Sequence, residues 1–170
     1  MYGPGHPKIR RVAHDVAVYL MNGRGDYWNA LTVFRELAKH TWRPADLLLL
    51  HGNTVKAAAG VDERHVFGRA WEDARATIKR MGRNQENHAA ALVNMAHGAL
   101  IAGREDWAEI AAMRAREIAV ARGETRTLYL AEELLGNAAR AKTAPGKSRP
   151  LWNPEHDTRA AASLVREVVA

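Results

Sequence analysis

The chain has 170 residues, 47% of them hydrophobic and 26% charged, an ordinary globular balance and long enough to bury a continuous core in one domain. It contains no cysteine, which excludes disulfide scaffolds, thiolate zinc sites and cysteine nucleophiles. The net charge of +6 is uneven: residues 1–83 carry 14 Lys/Arg against 8 Asp/Glu, residues 84–141 carry 6 against 8, and residues 142–170 carry 5 against 3.

No secretory signal is read, because Arg10 and Arg11 are followed by Val12-Ala13-His14-Asp15, which breaks any apolar run. The longest aliphatic run, Leu47 to Leu50, is far too short to cross a bilayer, so a cytoplasmic location with no membrane partner is expected. Arginine outnumbers lysine 19 to 6 and alanine is abundant, which suggests a GC-rich bacterial genome or its phage.

After the Met1-Tyr2-Gly3-Pro4-Gly5-His6-Pro7 lead, 3.6-residue periodicity and breakers predict about eight helices and no strand. The first runs from Lys8 to Asn22 and stops at Gly23. The second starts at Asp26, a good N-cap, with Tyr27, Ala30, Leu31, Phe34 and Leu37 on one face. Pro44 opens the third, which ends at Gly60. The fourth, residues 62–81, is strongly amphipathic: Val66, Phe67, Ala70, Trp71, Ala74, Ile78 and Met81 oppose a face of cations. The fifth, about residues 86–102, holds a single charge and is expected to be the most buried. The sixth begins at Glu105-Asp106 and ends at Gly123, and the seventh covers Thr125 to Ala141. Residues 1–142 thus read as a helical-repeat domain and 143–154, with three prolines and a glycine, as a linker. Residues 155–170 read as a capping helix of the same domain, held by Trp152.

Gly23-Arg24-Gly25-Asp26-Tyr27 returns as Gly103-Arg104-Glu105-Asp106-Trp107, 80 residues on, and Val12, Val16, Leu20 and Met21 return as Leu92, Ala96, Leu100 and Ile101. A doubled stripe, turn and helix start is the mark of stacked hairpins. Their first helices begin near residues 8, 44, 86 and 125, spaced 36, 42 and 39 apart, and short connections make neighbours antiparallel. Arg24-Gly25-Asp26 is then a turn and a cap, not an adhesion tripeptide. Trp28, Trp71, Trp107, Tyr19 and Phe34 are expected in the core.

Leu135-Gly136-Asn137, Gly52-Asn53 with His51 in the leucine place, and Ala96 or Gly98 supply a small residue inside each first helix, where paired helices touch. Gly25-Asp26-Tyr27, Ala30 and Phe34 form a turn with its following aromatic. On these residues the chain resembles a tetratricopeptide-type repeat array over about residues 8–141, and 126–140 resembles the repeat segments of actinobacterial-type regulators. The resemblance implies an all-α fold of antiparallel hairpins stacked as a short right-handed solenoid, with the first helices lining a concave groove. It places Asn53, Lys56, Asn94, His97, Asn137 and Arg140 in that groove.

Gly-Asn-x-x-Lys and Gly-Asn-x-x-Arg set amide and cation one turn apart on one face. Asparagine can hold an extended peptide backbone and a cation can take a carboxylate, which points to a protein or peptide partner. The plainer alternative is helix-surface polarity. A second reading takes Arg64, Arg69, Arg75, Lys79, Arg80 and Arg83 of residues 62–83 as a nucleic-acid face, against the alternative of a solvated arginine-rich surface. The eight histidines show no metal-ligand spacing, and no phosphate loop, nucleophile elbow or dinucleotide fingerprint occurs. The expectation is a non-enzymatic binding module without metal or cofactor, a regulatory or assembly adapter, with self-association through exposed solenoid ends.

Overall fold

Seven helices account for most of the residues that the computed structural model describes, namely 7–41, 43–81 and 86–143. They are α1 (Pro7–Gly23), α2 (Tyr27–Lys39), α3 (Pro44–Gly60), α4 (Arg64–Met81), α5 (His88–Ile101), α6 (Glu105–Arg122) and α7 (Thr125–Thr143). No strand occurs among the described residues, and none of their helices is long and apolar enough to cross a membrane. Among the described residues the count is seven, where the sequence predicts about eight in the whole chain. The expected eighth helix over 155–170, Trp152 and the linker after Thr143 lie outside the described residues.

Local chemistry sets the boundaries. Pro44 stands at the first position of α3, where a missing N–H costs nothing. Asp26 caps α2: its Oδ1 accepts from the Asn29 backbone N–H at 3.2 Å, and Asn29 Nδ2 donates to Oδ2 at 2.6 Å. Three helix ends close by the same backbone bond. Glu63 N donates to Ala58 O at 2.9 Å, Arg104 N to Ala99 O at 2.8 Å and Glu124 N to Ala119 O at 2.9 Å. The residue before each donor is left-handed: Asp62 (φ 55°), Gly103 (φ 65°) and Gly123 (φ 67°).

This geometry corrects the repeat register. The 80-residue alignment pairs Gly23 with Gly103, yet the left-handed residue preceding α2 is Gly25 (φ 67°). Gly25 and Gly103 each lie two residues before a helix start, at Tyr27 and Glu105. The structural counterparts of Tyr27 are thus Arg64 and Glu105, the residues that open α4 and α6, and Trp107 sits two residues deeper in its helix.

Consecutive helices pack against each other except α4 and α5, which share little; α3 lies beside α5, and α5 beside α7. At the α3–α5 crossing two glycines bring backbones together. A Cβ on Gly52 would lie 2.7 Å from Ala91 O, and one on Gly98 would lie 2.9 Å from the Lys56 backbone. The small residues therefore serve contact between hairpins, not within one as the sequence reading had it. The core runs through Met21, Phe34, Leu37, Leu48, Met95 and Ile118. α4 meets α6 through aromatics, with ring centroids 4.9 Å apart for Trp71–Trp107 and 6.2 Å for Phe67–Trp107. Tyr19 is not a core residue: it is 62% exposed, its ring lying over Gly23 on the outer side of α1. Trp107 is half-exposed at the edge of its cluster, whereas Phe34 and Trp71 are buried.

Candidate functional site

A row of polar side chains runs across α1, α3 and α5. Asn53 of α3, 2% exposed, is its centre. Its Nδ2 lies 3.0 Å from His14 Nε2 on α1, and its Oδ1 accepts from Asn94 Nδ2 of α5 at 2.6 Å. The other ring nitrogen of His14, Nδ1, lies 3.3 Å from Asp15 Oδ1. Every member gains a partner, as buried amides require.

One turn along, Lys56 is 7% exposed and donates to Asn22 Oδ1 at 2.7 Å. No carboxylate of the described residues pairs with it, and burial lowers its amine below the usual lysine range. One acceptor for three N–H donors leaves capacity for another. His97 of α5 sits close by, its pKa pushed down to about 4 by burial and then by the Lys56 charge.

Asn53/Lys56 and Asn94/His97 are each three residues apart and repeat at 41 residues, the spacing that separates the left-handed Asp62 and Gly103. The structure thus brings four of the predicted residues together, with Asn53 and Lys56 as a buried floor and Asn94 and His97 half-buried above it. The remaining pair stands apart on α7, where Arg140 Nη2 donates to Asn137 Oδ1 at 2.6 Å. His14 and Asn22, the α1 members, escaped the sequence reading because they share no spacing with the Asn-x-x-cation step.

The α4 cations are all at the surface, but two are internally neutralised. Arg64 pairs with Asp62 at 3.3 Å and Arg75 with Glu72 at 3.0 Å, while Arg80 donates to Thr77 Oγ1 at 3.3 Å. Arg69 and Lys79 make no ion pair among the described residues, and Arg83 lies outside them. His88, 1% exposed, has no hydrogen-bond partner for either ring nitrogen among the described residues. No three His, Asp or Glu side chains gather as a metal site among those residues.

Burial lowers the pKa of His51, His88 and His97 alike. The unfolded chain therefore binds more protons than the folded one below pH about 6.5. This stability is full above that pH and is lost as pH falls toward the folded pKa, about 4 for His97. Urea unfolding at pH 5 is expected to show a protein less stable than at pH 7, with about 2 kcal/mol coming from His97. His97→Gln should flatten that slope; an unchanged slope would remove His97 as its source.

Comparisons with known protein families, with curated proteins and with solved structures returned no match.

Proposed function

We propose that the chain is a non-enzymatic binding module whose α1–α3–α5 polar row receives a peptide or protein segment bearing a carboxylate. The observation that carries this reading is Lys56: a buried, singly bonded amine without an anionic partner among the described residues, beside the half-buried amide of Asn94. A cation held this way costs folding free energy, and an incoming carboxylate would offset that cost. The repeated Asn-x-x-Lys and Asn-x-x-His steps, and the side-by-side order of α3, α5 and α7, support a right-handed tetratricopeptide-like stack as the frame. A regulatory or assembly adapter of the cytoplasm fits that frame. The cationic face of α4 carries less, since Glu72 and Asp62 already engage two of its arginines.

Selection of random 12-residue peptides on the full chain tests the reading. Acidic sequences should be enriched, and their affinity should fall at least tenfold, about 1.4 kcal/mol, on Lys56→Met. Peptides without acidic bias, or equal binding by the variant, would overturn it.

A further inference from the structure

A second concavity shares no residue with the polar row. It is a cavity of about 360 Å³ between the α3–α4 turn and the α5–α6 turn. Ala58, Ala59, Ala102 and Phe67 give it apolar walls, and Arg64, Arg104 and Asp62 give it charge. That volume lies at the small end of ligand pockets, roughly 300–1,000 Å³.

The previous level of the stack explains the opening. There the residue that starts the second helix is Tyr27, and its ring lies so close to Gly60 that an added Cβ would fall 2.3 Å from it. An aromatic ring thus packs against the end of the next hairpin's first helix. At the following level the equivalent residue is Arg64, whose side chain turns back to Asp62, with Nε 3.3 Å from Oδ1. No ring of the described residues takes that place, and a space remains between the alanines and the buried Phe67.

The charge is equally specific. Arg64 and Asp62 neutralise each other, which leaves Arg104 as the uncompensated cation of the lining. Its guanidinium lies over the Trp107 ring, 5.6 Å from the centroid, and makes no ion pair among the described residues. Stacked arginine is pre-organised, and its N–H edge remains able to bind a carboxylate in two-pronged fashion. We infer that this cavity binds an aromatic ring carrying a nearby carboxylate, the ring taking the place that Tyr27 fills one level earlier and the carboxylate meeting Arg104.

The test titrates N-acetyl-phenylalanine into the full chain, followed by calorimetry and by tryptophan fluorescence, since Trp71 and Trp107 border Phe67. Saturable binding is expected, weakened at least tenfold for N-acetyl-phenylalaninamide and for Arg104→Gln. Arg64→Tyr should fill the cavity from within, abolish binding and raise the melting temperature, which also shows that this variant folds. A pentapeptide ending in phenylalanine distinguishes the sources: tighter binding than the single residue assigns the site to chain termini, equal binding to free aromatic acids. No saturable binding up to about 10 mM, equal binding of acid and amide, or full binding by Arg64→Tyr would overturn the inference.

Discussion

Replacing Gly52 or Gly98 by alanine is expected to cost about 3 kcal/mol or more, whereas Gly136→Ala should be neutral or stabilise by up to about 1 kcal/mol. Gly52 and Gly136 stand in the same Gly-Asn step, so sequence alone gives them one fate. Their surroundings differ. A Cβ at residue 52 meets the Ala91 carbonyl at 2.7 Å, and at residue 98 it meets Lys56 N and Cα at 2.9 Å. Both obstacles are backbone, so α3 and α5 must separate and the packing between them loosens. At residue 136 the nearest atom is the Arg140 guanidinium at 3.4 Å, the end of a flexible side chain, and the better helix propensity of alanine decides. Urea denaturation of the three variants checks the contrast. Similar losses at all three positions would mean that the glycines act through helix propensity and not through the crossing.

Lys56→Met should raise stability by about 2 kcal/mol while removing the proposed carboxylate binding. The stem keeps its packing, since methionine is close in volume and flexible, and the buried charge disappears. Asn22 is exposed, so its carbonyl regains water when the amine is gone. A lysine whose bond to Asn22 holds α1 to α3 would give the opposite sign, because its loss would remove that tie. Chemical denaturation therefore separates the two roles before any partner is identified. A fall in stability would place Lys56 among the residues that hold α1 to α3.

Several helix boundaries were legible because the residue at the boundary acts locally. Pro44 begins α3, Asp26 caps α2, and Gly123 ends α6 in the left-handed region. Backbone angles were not legible. The doubled Gly-Arg-x-Asp-aromatic string aligns Gly23 with Gly103, but only Gly25 and Gly103 hold the positive φ, so the apparent match of Tyr27 to Trp107 dissolves. At the third turn Asp62 takes that conformation without glycine, a tolerance aspartate has but which its presence alone does not announce. The candidate site divides in the same way. The Asn-x-x-Lys step of α3 and the Asn94 and His97 positions of α5 were legible, and the structure brings these four residues together. Their burial, the α1 partners His14 and Asn22, and the isolation of Asn137 and Arg140 follow from tertiary packing alone. Likewise Tyr19 faces outward, and the buried side of α1 is the one that carries Ala13, Ala17 and Met21.

Since α4 and α5 share little contact, the α3–α5 crossing and the Trp71–Trp107 pair join the first four helices to the last three. Cooperativity is then a property of that seam. Amide protons of α5 and α6 are expected to exchange together with those of α3 while the glycine contact holds. With that contact loosened, α1–α4 and α5–α7 are expected to open as two blocks, and a single unfolding free energy would no longer describe them.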